Sequence, residues 1–168
     1  MWYAVLLAGG SGSRMGAGKN KVLLSLAGEP VICRAATAFR SLVDGMVVVA
    51  REDDRQAIHQ ALSVAGLMEN TCIVPCGDTR QASVWNGLQA LPASCEMVLI
   101  HDGARCLVDE DTIRRAMAGA EACGAGVAAI PAVDTVKQVD EDERVTDTPD
   151  RAFLRAVQTP QAFAVPLI

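Results

Sequence analysis

The stretch Ala4–Leu24, AVLLAGGSGSRMGAGKNKVLL, begins as an unbroken aliphatic run and empties into a loop carrying Gly9, Gly10, Gly12, Gly16 and Gly18 together with Arg14, Lys19 and Lys21. An apolar run that does not alternate with polar residues fits a strand buried on both faces, the signature of a parallel sheet. Glycines at the carboxyl end of such a strand let the backbone turn tightly and approach a ligand with no β-carbon in the way. Consecutive N–H groups in a turn of this kind form a nest for an anion, and the three cations add mobile positive charge beside it.

The rhythm set by this opening repeats along the chain. Aliphatic runs at Tyr3–Leu7, Met46–Ala50, Cys72–Val74, Met97–Ile100 and Ala125–Ile130 read as strands. They are separated by helical patterns at Pro30–Leu42, Asp54–Val64, Thr79–Leu91 and Glu110–Ala122. This alternation predicts an α/β fold of three layers, a Rossmann-like, mostly parallel twisted sheet with helices on both faces. Ligands then belong beyond the carboxyl ends of the strands. From residue 133 the rhythm changes: VDTVKQVDEDERVTD, 133–147, reads as a strand, an acidic turn and a short return strand, a small β-arm within a single 1–168 domain.

Composition narrows the partners. With 15 basic and 20 acidic residues the formal net charge is −5, and no basic run exists that could follow a nucleic-acid backbone. No apolar run is long enough to span a bilayer. Six cysteines, at 33, 72, 76, 95, 106 and 123, show neither a CxxC pair nor a zinc-finger spacing. Reduced cysteines in apolar surroundings, with no secretory leader at the start, point to the cytoplasm.

Two familiar phosphate motifs fail on the first loop. Counted from Gly10, Gly16 comes one place late for G-x-G-x-x-G, and Gly18-Lys19 has neither the upstream glycine nor the following hydroxyl of the P-loop. An ordinary dinucleotide enzyme or ATPase is thereby disfavoured. Asp102, after a buried strand and before Gly103, stands where a carboxylate can hold Mg²⁺, which takes most of its ligands from phosphate and water. Arg105 offers a planar fork suited to phosphate. Gly77, Asp78, Arg80 and Ser83 open the third helical pattern, where free N–H groups and a hydroxyl can read a base or ribose and Thr79 or Asp78 can cap the helix. His59 and His101 read as structural or solvent-facing, and Trp85, at core spacing, as packing.

Taken together, five ordered blocks resemble one family. LLAGGSGSRMGAGKNKVLLSLAGEPVI, CGDTRQASVWNGL, LIHDGARCLV, AIPAVDTVKQVD and TPDRAFLRAVQTPQAF are similar to the 2-C-methyl-D-erythritol 4-phosphate cytidylyltransferase family, of the sugar-nucleotidyltransferase-like fold, over nearly all 168 residues. The resemblance implies an enzyme that uses CTP as co-substrate and Mg²⁺ or another divalent cation. It gives Arg14 and Lys21 as catalytic, and Ala8, Gly9, Gly10, Gly12, Arg14, Lys21, Gly77, Asp78, Ser83 and Asp102 as nucleotide-binding. Asp102 is also the metal ligand, and Arg105, Thr135 and Arg151 hold the methylerythritol phosphate. It further implies a homodimer exchanging its β-arm, and a C-terminal segment with a phosphate-contacting lysine that is expected to be missing from these 168 residues. D-ribitol-5-phosphate cytidylyltransferase shares LAGGSGSRMG, although VDTVKQVD and LRAVQTPQAF look more like the isoprenoid enzymes. A non-catalytic nucleotide-binding domain is the remaining alternative.

Overall fold

The computed structural model describes residues 1–10 and 20–168. Its centre is a six-stranded sheet ordered β5-β4-β1-β6-β10-β7, comprising β1 (Trp2–Leu7), β4 (Gly45–Ala50), β5 (Thr71–Pro75), β6 (Met97–Asp102), β7 (Ala125–Pro131) and β10 (Arg155–Ala164). β1 runs parallel to β4 and β6, with Val5 opposite both Val47 and Ile100, and β4 runs parallel to β5. All six residues of β4 are buried, which explains its unbroken GMVVVA sequence.

Helices lie on both faces. Because strand side chains alternate, Ala4, Leu6 and Ala8 face one side and Val5 and Leu7 the other. The first side packs on Ile32 and Phe39 of α1 (Val31–Phe39), Ile58 and Leu62 of α2 (Glu52–Val64) and Ile113 of α4 (Glu110–Cys123). The second, with Val47, Val49 and Val98, is covered by Leu88 and the neighbouring Leu91 of α3 (Arg80–Gln89) and its exit. Asp109 caps α4 by accepting from the Thr112 N–H at 2.7 Å. Gly124 ends it in the left-handed region at φ 83°, where a β-carbon would be strained.

The strand alternation predicts the parallel part of the sheet but not β10. This strand, QTPQAF among its residues, inserts between β6 and β7 and is antiparallel to both. Its sequence carries Pro160 and polar residues that hide it as a strand. The structure accommodates them at a register irregularity between Val157 and Gln161, where a residue without an N–H need not join the ladder.

Over 133–147 the chain forms a two-stranded hairpin of β8 (Gln138–Val139) and β9 (Val145–Asp147), every residue of both strands exposed. Residues 133–137, expected to be extended strand, lie outside it. Asp140 Oδ1 closes the acidic turn, accepting from the N–H groups of Asp142 at 3.0 Å and Arg144 at 2.9 Å. A second small hairpin, β2 (Ser25–Leu26) with β3 (Glu29–Pro30), leads into α1.

Candidate active site

The carboxyl ends of β1, β5 and β6 meet the amino end of α3 around a cavity of about 600 Å³. Its lining includes Gly9, Gly10, Lys21, Gly77, Asp78, Arg80, Ser83, Asp102 and Arg105. Residues expected from three separate blocks thus converge on one space, as the parallel strands require. Ala8 is wholly buried directly behind Gly9. Arg14 and Gly12 lie outside the described residues. Thr135 and Arg151 are exposed and are not part of this lining; the Arg151 Nη1 donates instead to the Val133 carbonyl at 2.9 Å.

Asn20, which carried no weight in the sequence, fastens the first loop. Its Nδ2 donates to the Ala8 carbonyl at 2.7 Å and to Asp54 Oδ2 at 2.9 Å, while its Oδ1 accepts from the Val22 N–H at 3.2 Å. Both ends of the glycine segment are therefore tied to one buried amide. The same amide caps the short 3-10 turn Lys21–Leu23, and Lys21 is its first residue. A β-carbon at Gly10 would lie 3.8 Å from the Lys21 Cε, so the lysine stem passes directly over the glycine backbone.

On the opposite wall Thr79 caps α3, accepting from the Ala82 N–H at 3.0 Å. The Ser83 hydroxyl is buried and turned inward: it accepts from the Gly77 N–H at 3.1 Å and donates to the Thr79 carbonyl at 2.9 Å. Ser83 therefore shapes the 77–79 turn, while Asp78 stands exposed at the rim. The buried residues of α3 are Ser83 and Gly87, with Leu88 packed beside them, and Trp85, expected as packing, is 56% exposed. Gly87 lets the helix backbone lie close to Val5 and Val49.

The end of β6 supplies the carboxylate. Strand alternation sends His101 to the α1 side, where its ring lies 4.9 Å from that of Phe39, and Asp102 to the α3 side. His101 is 0% exposed. Thr159 Oγ1 accepts from the Asp102 N–H at 3.2 Å, leaving its own proton for His101 Nδ1 at 3.1 Å. That assigns the ring proton to Nε2, which donates to the Arg105 carbonyl at 3.1 Å. Burial pushes the imidazole down to about 4, outweighing the Arg105 carbonyl bond that favours the charged form. His101 is a neutral brace for the 102–105 turn and does not open into the cavity.

Asp102 is bridged by two guanidiniums: Arg80 Nη2 reaches Oδ1 at 3.2 Å and Arg105 Nε reaches Oδ2 at 3.1 Å. Arg105 also donates from Nη1 to Gln158 Oε1. Burial, the largest single influence, would raise the Asp102 carboxyl, but the hydrogen bonds and charges of Arg105 and Arg80 together hold it below its ordinary range. It is ionised at neutral pH. Among the described residues no three His, Cys, Asp or Glu side chains gather as a metal cage. A lone carboxylate nonetheless fits Mg²⁺, whose remaining ligands come from phosphate and water, and each guanidinium-bonded oxygen keeps a second lone pair.

Gln158, Thr159, Asn20 and the Arg80–Asp102 pair are the contributions that the sequence reading missed. Each acts through a contact remote in the chain, which local spacing does not encode. The other buried nucleophiles are inert. Burial raises the Cys33 and Cys95 thiols, so both pack as small apolar side chains.

The sequence pattern of IspD, 2-C-methyl-D-erythritol 4-phosphate cytidylyltransferase, matches residues 2–168. A relative of that name from Microcystis aeruginosa is 42% identical, with 99% of this chain aligned to 74% of its length. One from Prochlorococcus marinus is 45% identical, over 97% of this chain and 72% of its own. Among solved structures, the 4-diphosphocytidyl-2C-methyl-D-erythritol synthase of Anaerococcus prevotii superposes with a TM-score of 0.87 at 30% identity, over 99% of this chain and 72% of that one.

Proposed function

The chain belongs to the 2-C-methyl-D-erythritol 4-phosphate cytidylyltransferase family, and on that footing we propose how its cavity carries the reaction. The reaction transfers the cytidylyl group of CTP to 2-C-methyl-D-erythritol 4-phosphate, giving 4-diphosphocytidyl-2-C-methyl-D-erythritol and pyrophosphate, a step of isoprenoid precursor synthesis. The observation that carries our assignment of the site is the convergence of Gly9, Gly10, Lys21, Gly77, Asp78, Asp102 and Arg105 on one cavity.

The base and ribose lie against Ala8, Gly9 and Gly10 on one wall and the Gly77–Ser83 turn on the other, where Ser83 holds the turn in shape. The phosphates lie beside Lys21, and the resemblance assigns Gly12 and Arg14 to them as well. A phosphate oxygen of the polyol attacks the α-phosphorus in line, the bond to the bridging oxygen breaks, and pyrophosphate leaves. A phosphate monoester has a second pKa near 6 and is already largely dianionic at neutral pH, so no protein base is needed. This agrees with His101 being enclosed and neutral.

The side chains must balance charge as two anions meet. Lys21 and Arg14 stabilise the charge that develops on the α-phosphate. Asp102 would hold Mg²⁺, which when bound neutralises and orients the triphosphate. Arg105 receives the polyol phosphate beside Asp102. Thr135 and Arg151 complete a polyol site across a two-fold dimer formed by the β8–β9 arm, a reading supported by their exposure away from the chain's own cavity. A cytoplasmic location is supported by the six free cysteines.

The test is pyrophosphate release with Mg²⁺, CTP and either methylerythritol phosphate or ribitol 5-phosphate. Release with the first and not the second is expected. Release favouring ribitol phosphate overturns the substrate, and CTP binding without any release leaves a nucleotide-binding domain.

A further inference from the structure

We propose that Arg80 is a phosphate-binding residue of the nucleotide site, parked on Asp102 until the phosphate chain of CTP takes it over. The inference rests on reading the cavity as a CTP site and extends it to a residue at the head of α3.

Arg80 is the first residue of α3 and lines the same cavity as Gly9, Gly10 and Lys21. Its side chain is 52% exposed, and its bond to Asp102 Oδ1 is long, at 3.2 Å. Among the described residues this is its one hydrogen bond, so most of the five guanidinium donors remain available. A half-exposed ion pair of this kind adds little to stability and exchanges readily. A triphosphate brings more negative charge than one carboxylate, and its paired oxygens match the guanidinium fork.

The position of Arg80 also argues against a purely structural pair. The first turns of α2 and α4 carry Glu52, Asp53 and Asp54, and Glu110 and Asp111, which suit the positive end of a helix. The first turn of α3 has no acid and begins with Arg80, a cation where the dipole disfavours one. Bound phosphate reverses that penalty, because both the helix end and the guanidinium then face an anion. The transfer also frees one Asp102 oxygen, while Arg105 stays on the other.

Calorimetric titration with CTP and with cytidine, in the absence of divalent metal, tests this on the wild type, Arg80→Gln, Asp102→Asn and the double variant. We expect Arg80→Gln to weaken CTP about tenfold or more and to leave cytidine affinity unchanged. Arg80→Lys should recover part of the loss. The loss on Arg80→Gln should be larger in the Asp102→Asn background, where no carboxylate competes for the guanidinium. Equal losses for CTP and cytidine would show that Arg80 only shapes the head of α3. No loss in the Asp102→Asn background would show that it acts only through Asp102, and either result overturns the inference alone. A wild type that binds neither compound overturns the CTP-site reading along with it.

Discussion

Gly9, in the cavity lining, packs against Cys76, the residue before the lining Gly77. A β-carbon at Gly9 would lie 2.9 Å from the Cys76 Cβ and 3.3 Å from its Sγ, a collision whose nearer atom has no freedom to swing away. Gly9→Ala should therefore push the 76–78 turn outward and raise the KM for CTP several-fold with little change in kcat. Adding Cys76→Gly should restore it, and steady-state kinetics on the two variants and their combination check this. If Lys21 acts as proposed, on charge that develops at the transition state, Lys21→Ala should behave in the opposite way, lowering kcat by about 10²- to 10³-fold while CTP affinity falls far less. His101 gives a pH signature. The unfolded chain takes up its proton near 6.5 and the folded chain only near about 4, so stability is intact at pH 7 and falls as the pH drops between those values. The loss by pH 5 should be about 2 kcal/mol. Urea unfolding at pH 7 and pH 5 measures it, and His101→Gln, which cannot titrate, should flatten the slope.

At the scale of elements, α3 decides how the two walls of the cavity meet. Gly87 lets it lie against the sheet: a β-carbon there would come within 2.5 Å of Val5 Cγ1 and 3.0 Å of Val49 Cγ2. Gly87→Val should lift the helix, costing about 1 to 3 kcal/mol of stability as overpacking does. It should weaken CTP binding too, because Ser83 and the Gly77 turn move with the helix; chemical denaturation and CTP titration read the two effects. This same helix shows where the sequence was legible and where it was not. Gly9, Gly10, Gly77, Asp78, Asp102 and Arg105 were readable as one rim because each stands at or just after the carboxyl end of a strand, and Lys21 because it belongs to the glycine-and-cation loop after β1. Trp85 was misread because the buried positions of α3 are Ser83 and Gly87, small residues that do not mark a hydrophobic stripe, with Leu88 packed beside them. Thr159 and Gln158 were hidden because they sit at the bulge of β10, whose proline and polar residues mask a strand in the middle of the sheet.

At the scale of the whole molecule, the arm stands apart from the core with apolar side chains uncovered. Val139 and Val145 of the hairpin and Val133 and Val136 of the segment leading into it are all more than 40% exposed, an apolar stretch suited to a partner surface. Sedimentation over a range of concentrations should show a dimer. Val139→Asp combined with Val145→Asp should shift it toward monomer and raise the KM for the polyol phosphate more than that for CTP. A wild type that stays monomeric at every concentration would refute the exchanged arm.

The placement of β10 has a consequence for how the protein is made. β6 and β7 leave the ribosome well before residues 155–164, yet neither can reach the other until that strand slides between them. During synthesis the nascent sheet therefore waits with an open seam on β6, while β7 has no strand to pair with. The growing chain is most exposed to misassociation in that interval, and chaperone dependence should concentrate there.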